Sequence, residues 1–303
     1  IEIDPGFLPA QYNLANALQE SGQLEKAVEH YHKALEINPA FADAHLNLGV
    51  TLQKLGQLEE AIKCLKDADP GTSEPKTSAI LLECYYRNQD HHGFEHQLTL
   101  ISKNQRFNFR AASASAFASH QWGTSNSYKC CDNPIELIAT YDLLDAGDVS
   151  PDLILEIGKA ARNNRNRERF APGHISKGYK SYGNLFTEKS SVARYLEKII
   201  RRYVGVFLKQ HNNKRGLLLQ NWPTEYELDG WYIRMLSNGH ITAHVHEGWL
   251  SGVFYVSVPA EKKHNAGDIE FTLHGYDPPV LREDFPRRTV TTKTGRLILF
   301  PSS

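Results

Sequence analysis

Two periodicities divide the chain. From residue 7 to about 103, apolar positions recur three and four residues apart, the signature of helices with one buried face. After residue 215 the apolar positions come in short runs broken by Gly, Pro and Asn: GLLLQNW, GWYIRML, HITAHVH, LSGVFYVSVP, GDIEFTLH, TVTTK and GRLILFP. That punctuation predicts strands of an antiparallel sandwich or barrel. Between these regions the pattern predicts helices over 111–120, 134–144 and 151–163. SYGNLF (181–186) reads as a strand or loop entry. A further amphipathic helix is predicted over 190–211, with Val192, Tyr195, Leu196, Ile199, Ile200, Tyr203 and Val204 on one face.

The helical part repeats itself. FLPAQYNLANALQESGQLEKAVEHYHKALEINP (7–39) aligns with FADAHLNLGVTLQKLGQLEEAIKCLKDADP (41–70). Phe7 pairs with Phe41, Asn13 with Asn47, Leu18 with Leu52, Gly22 with Gly56 and Ala27 with Ala61. The offset is about 34 residues, and the unit resembles the tetratricopeptide repeat. The glycines supply a tight turn and the alanines let paired helices approach closely. IEIDPGF at the start matches LEINPAF at 35–41, so the chain is expected to begin in the tail of an earlier repeat. Residues 75–104 read as a worn third unit, with Leu82, Tyr86 and Phe94 at helical spacing. Stacked repeats form a curved solenoid with a concave face, which implies a protein or peptide partner or a rigid spacer. His30 and His32 form an H-x-H on a helix. There they point about 200° apart and cannot share an ion, so they are expected at the surface.

Composition narrows the function. Hydrophobic content of 41% and charged content of 23% are those of an ordinary soluble protein. A net charge of -1 gives no electrostatic case for nucleic acid or an anionic membrane. The basic run ARNNRNRERF (161–170) is read as a solvated helix end and loop. No apolar run approaches the ~18 residues of a membrane span. Cys64, Cys84, Cys130 and Cys131 fit no zinc or disulfide framework, which suggests a reducing, cytoplasmic compartment. Three segments follow: repeats over 1–70, a degenerate helical repeat and linker over 71–125, and a second domain over 126–303.

Candidate chemistry lies at 240–246, HITAHVH. On a regular strand His240, His244 and His246 share one face. His244 and His246 stand about 6.6 Å apart along such a strand, near enough to converge on one ion, whereas His240 is about 13 Å from His244. An ordinary hydrogen-bonded strand pair is the competing reading. Arg234 and Tyr255, on flanking strands, are candidates to contact a co-substrate; a salt bridge for Arg234 and a core position for Tyr255 are the alternatives. Trp231 and Trp249 are candidates for a substrate entrance, or plain core.

RMLSNGHITAHVHEGWLSGVFYVSVP, GDIEF and GRLILFPSS together resemble the core of a double-stranded β-helix (jelly-roll) oxygenase that uses Fe(II) and 2-oxoglutarate, in particular those that follow tetratricopeptide repeats. The matching segments are Gly239 to His246, Ser251-Gly252-Val253-Phe254-Tyr255, Gly267-Asp268-Ile269 and Gly295 to Ser302; NLF at 184–186 and Asn133-Pro134 also match. The resemblance implies an α-solenoid followed by a jelly roll with flanking helices, α+β in the broad sense. It implies three protein ligands on one face of the iron, with 2-oxoglutarate and O2 in the open positions. Co-substrate decarboxylation to succinate and CO2 would be coupled to hydroxylation of a C–H bond. The usual ligand pair is His-x-Asp/Glu. Here the second position is His246, with Glu247 beside it but pointing to the opposite face of a regular strand. The last histidine of the pattern is expected beyond Ser303, as is a carboxylate-binding arginine; His264 and His274 are poor substitutes. Alternative readings are a non-catalytic scaffold with a degenerate jelly roll and a three-histidine dioxygenase that uses no 2-oxoglutarate.

Overall fold

A computed structural model of the chain describes residues 7–70, 75–103, 108–128, 133–163, 168–170, 175–187, 190–212, 216–242, 244, 246, 248–259, 267–274 and 279–302. The chain forms two compact units: Ile1–Tyr128 with Asp277–Glu283, and Lys129–Tyr276 with Asp284–Ser303.

The first unit is helical. Its elements are α1 (Leu8–Glu20), α2 (Leu24–Ile37), α3 (Ala42–Lys54), α4 (Leu58–Ala68), α5 (Pro75–Arg87), α6 (His91–Lys103) and α7 (Phe109–Trp122). The repeated sequence gives repeated geometry. Gly22 and Gly56 both adopt φ +78°. In each turn the glycine amide and the next amide return to carbonyls of the last helical turn, Gly22 to Gln19 and Gln23 to Leu18, then Gly56 to Gln53 and Gln57 to Leu52. This is the left-handed glycine cap that closes orphan carbonyls at a helix end. Ala15, Ala27, Ala34, Ala44 and Ala61 are completely buried where the helices cross, around Tyr31, Leu48 and Leu65. Tyr31 donates to Asn16 Oδ1 at 2.7 Å, and Asn47 donates to the same oxygen at 3.0 Å, so polar bonds link one repeat to the next. His32 is exposed as expected, but His30 is half-buried and 2.7 Å from Gln11 Oε1. Burial, helped by Lys33, pushes the His30 pKa down.

The second unit is β-rich with helices. A 3-10 turn (Pro134–Leu137) leads into β1 (Ala139–Asp142) where the sequence pattern predicts a helix over 134–144. Pairing with the last strand overrides the local pattern there: Ala139 to Asp142 match Leu299 to Arg296. Next come α8 (Pro151–Asn163), β2 (Glu168–Phe170), β3 (Ile175–Ser181), α9 (Ser191–Gln210) and α10 (Leu217–Gln220). The basic run thus ends in a strand, with Phe170 opposite Tyr179. The expected strand at GLLLQNW is instead the short helix α10, with Leu218 fully buried. Four apolar residues in a row do not distinguish a buried strand from a buried helical turn. On α9 the buried residues are Ile199, Tyr203, Val204 and Phe207, while Tyr195 is exposed.

The remaining strands are β4 (Ile233–Ile241), β5 (Leu250–Phe254), β6 (Ile269–Thr272), β7 (Arg287–Val290) and β8 (Arg296–Pro301). They form sheets in the orders β1-β8-β5 and β2-β3-β4, plus the pair β6-β7. β8 is the central strand of its sheet, and its LILF run is buried at every position from Leu297 to Phe300. A strand covered on both faces reads as a continuous apolar run rather than an alternating one. Ile298 and Phe300 form a core with Ile138 and Val290, against which Val253, Tyr255, Ile269 and Phe271 pack. The β1–β8 edge is pinned by Arg296, which donates to both oxygens of Asp142 at 2.6 and 2.8 Å. Those bonds hold the Asp142 carboxyl below its ordinary pKa. No helix among the described residues is long and apolar enough to cross a membrane.

On β5, Gly252 lies opposite Leu299 of β8. A Cβ at Gly252 would stand 2.8 Å from Leu299 Cδ2 and 3.2 Å from the Ile298 carbonyl oxygen. Gly252→Val is therefore expected to destabilise the β-rich unit by about 1–3 kcal/mol, the usual cost of overpacking, read as a lower denaturant midpoint. An unchanged midpoint would show that β5 is not held against β8 as described.

Candidate functional site

The site grows from one end of the β1-β8-β5 sheet. Beyond Pro301, which pairs with Leu250, the ladder gains one more bond: the His246 amide donates to the Ser302 carbonyl at 3.1 Å. The Ser302 and Ser251 hydroxyls lie 2.8 Å apart and tie the same two segments together. His246 is therefore fixed by main-chain and neighbouring bonds at the end of a rigid sheet.

The segment before it departs from the expected regular strand. β4 ends at Ile241, and of the described residues that follow, Thr242, His244 and His246 lie outside any strand. His240 remains on β4 opposite Ser176 and is exposed, apart from the other two histidines in the strand order. Irregular register between β3 and β4 accompanies a left-handed Asn238 (φ 59°). Ala243, Val245 and Glu247 lie outside the described residues, and so does the alternative that Glu247 is a ligand; His264 does as well.

His244 and His246 are brought together. Their ring centroids are 4.7 Å apart with planes at 56°. Two imidazoles bound at right angles to one ion, with metal–nitrogen bonds of about 2.1 Å, would have ring centres separated by roughly 4.5 Å. The observed 4.7 Å is of that order. His244 Nδ1 lies 2.8 Å from the Thr242 carbonyl oxygen, which can only accept, so Nδ1 carries the proton and Nε2 is the lone-pair nitrogen. A backbone carbonyl on the far nitrogen is the usual way a ligating histidine is oriented.

His246 sits among aromatic rings. Trp231 is nearly parallel to it at 6.4 Å, and Phe300 meets it edgewise at 6.1 Å. Burial pushes its pKa down to about 4, with the charges of His244 and Lys180 adding to the effect. Neutral imidazole is the form that binds metal. Lys180 Nζ lies 4.0 Å from the Trp231 ring centre. The sequence pattern did not single out Lys180. It becomes legible only once β3 and β4 are paired, with Lys180 opposite Ile233.

The other candidates have evident structural partners. The Arg234 guanidinium stacks 4.3 Å over Tyr179 across the β3–β4 pair. Tyr255 packs against the Ile298 and Phe300 core, and burial raises its pKa to about 12. Trp249 meets Trp222 at 6.1 Å. His274 lies against Phe285, 5.9 Å between centroids. Among the described residues no group of three or more His, Cys, Asp or Glu side chains is placed to hold a metal, so the two histidines have no third protein ligand there.

Comparison with known families bears directly on this geometry. Residues 229–303, which contain both histidines and the β5–β8 ladder, match the family model described as "Putative 2OG-Fe(II) oxygenase". Residues 15–56 match the TPR repeat model. The two matches fall on the helical repeats and on the C-terminal β-rich region respectively. The oxygenase family implies Fe(II) and 2-oxoglutarate. No curated protein matches the chain. Among solved structures, the crystal structure of MamA is 19% identical, with a TM-score of 0.37, over 40% of this chain and 71% of that one. The structure from the functional characterisation of Pseudomonas aeruginosa pilF is 14% identical, with a TM-score of 0.34, over 40% of this chain and 55% of that one. The match thus spans about half of that second protein.

The burial of His246 has a solution signature. In the metal-free protein its ring should titrate near pH 4, while an unfolded histidine titrates near 6.5. The folded state then takes up its proton later than the unfolded state, so this residue's contribution to stability falls as pH drops from about 6.5 to about 4 and levels off below. An NMR titration of the His246 ring proton checks this; a midpoint at 6.5 would contradict the enclosure by Trp231 and Phe300.

Proposed function

We propose that the protein is an Fe(II)/2-oxoglutarate-dependent hydroxylase whose repeats recruit a protein or peptide substrate. The observation that carries this reading is the 4.7 Å approach of the His244 and His246 rings inside the segment that matches the oxygenase family. Bound iron and 2-oxoglutarate would supply the oxidising power for a C–H bond. The chain's own residues do the rest. His244 Nε2 and the His246 ring are the proposed ligands, the first oriented by the Thr242 carbonyl. Trp231 and Phe300 lie beside His246, whose burial favours the neutral ring. Lys180, whose charge reaches His246, joins Arg234 and Tyr255 as a candidate contact for the carboxylates of 2-oxoglutarate. A reducing, cytoplasmic setting accords with Cys64 and Cys84 as free thiols, the latter buried; Cys130 and Cys131 lie outside the described residues.

The test uses the protein as its gene encodes it. Iron-dependent succinate release from 2-oxoglutarate is expected, and His244→Ala or His246→Ala should abolish it. Each should also weaken anaerobic Fe(II) binding on the order of 100-fold or more, because removing a ligand costs more than removing a residue that only orients one. Glu247→Ala should leave binding within about threefold if His246 is the ligand. Succinate release indifferent to His244 would refute the proposal, and a large loss confined to Glu247→Ala would transfer the second ligand role to that carboxylate.

A further inference from the structure

The β2-β3-β4 sheet places two cations side by side. Arg169 of β2 stands directly opposite Lys180 of β3, and Lys180 stands opposite Ile233 of β4, so the three share one face of the sheet. Like charges set directly across a ladder repel and cost stability. Each of these cations leans on an aromatic ring rather than on an acid. The Arg169 guanidinium lies 4.8 Å from the Tyr182 ring centre, and Lys180 Nζ lies 4.0 Å from that of Trp231. Neither meets a carboxylate among the described residues. Met235, opposite Gly178, is two residues further along the same face. The face is open to solvent: Tyr182 is 53% exposed, and Trp231, Ile233 and Met235 are each 36–38% exposed. It begins at the histidine pair, because Trp231 lies nearly parallel to the His246 ring at 6.4 Å.

An open face with apolar side chains and two cations that lack acids complements an acidic chain bearing apolar residues, and it repels a basic one. Lys180 is the nearer cation to the histidines, since its charge reaches His246. Arg169 lies one strand further out, where its planar fork can take a carboxylate through two parallel bonds. We propose that the face from Trp231 to Arg169 binds the substrate of this site, and that the substrate is an acidic peptide whose carboxylate is held by Arg169 while its apolar side chains cover Ile233 and Met235. A carboxylate bound there also offsets the repulsion between Arg169 and Lys180. That the occupant is the substrate rests on the hydroxylase reading above; the acidic preference belongs to the face itself and needs no iron. A nucleic-acid strand is the other anionic occupant with apolar surface, and the net charge of -1 argues against it.

Fluorescence anisotropy on the full chain, kept free of iron by a chelator, tests it. The probes are a labelled octapeptide of glutamates alternating with leucine and serine, the same peptide with glutamine for glutamate, and a thymidine octanucleotide. The acidic peptide should bind about tenfold or more tightly than its glutamine counterpart, the effect of at least one charge-assisted bond. Arg169→Lys should keep most of that preference, Arg169→Gln should remove most of it, and Arg169→Glu should abolish it. Arg169 is exposed on the outermost strand of its sheet, so Arg169→Gln should leave the denaturant midpoint unchanged or raise it slightly by removing the like-charge pair. Equal binding of the two peptides, a preference that survives both Arg169→Gln and Arg169→Glu, or tighter binding of the oligonucleotide would overturn the proposal. Each of those results leaves the iron site standing, because succinate release and Fe(II) binding decide that separately.

Discussion

The pairing of β5 with β8 is the constraint on which the candidate site rests. β8 lies between β1 and β5 and is buried on both faces, so its position is set by core packing rather than by the site. The ladder runs from Phe254–Leu297 to Leu250–Pro301 and then passes to the His246 amide through the Ser302 carbonyl. Loss of that register would move His246 relative to Phe300 and Trp231. Functional groups held at the end of a packed sheet keep their geometry better than groups on a free loop.

The electrostatics follow from the same packing. His246 is enclosed by rings and has a low proton affinity. His244, oriented by the Thr242 carbonyl, offers its other nitrogen. Two imidazoles side by side would ordinarily gain little from each other, and the nearby Lys180 disfavours protonating His246. An ion bound to both nitrogens uses the arrangement that protons avoid. As the proposed ligands, two histidines would carry less negative charge to a metal than the usual histidine and carboxylate, and the site would be more receptive to an anionic co-substrate.

Sequence periodicity reveals the helical unit almost completely, because each repeat must bury the same face against its neighbour and so repeats the same alanines and glycines. The Gly22 and Gly56 turns and the buried Ala27 and Ala61 are direct consequences of that pattern. The H-x-H motif is equally legible as a pair of neighbouring rings. The His244 and His246 rings meet beyond the end of β4 at Ile241. Short elements were the least legible. Residues 134–144 carry a helical pattern yet divide into a turn and β1, and 217–220 form a helix where an apolar run suggested a strand. In both places long-range packing decides between conformations that local sequence leaves nearly equal. Lys180 was invisible for a related reason: its role depends on strand pairing, which no local pattern encodes.

The central claim is that one ion is held between two neighbouring imidazoles at the end of the β5–β8 ladder. Crystals of the gene-encoded protein grown anaerobically with Fe(II), with diffraction recorded on either side of the iron absorption edge, test it most directly. The account predicts an anomalous peak within bonding distance of both the His244 and His246 rings. A peak elsewhere in the molecule, or two ordered rings with no peak between them at saturating iron, would contradict it.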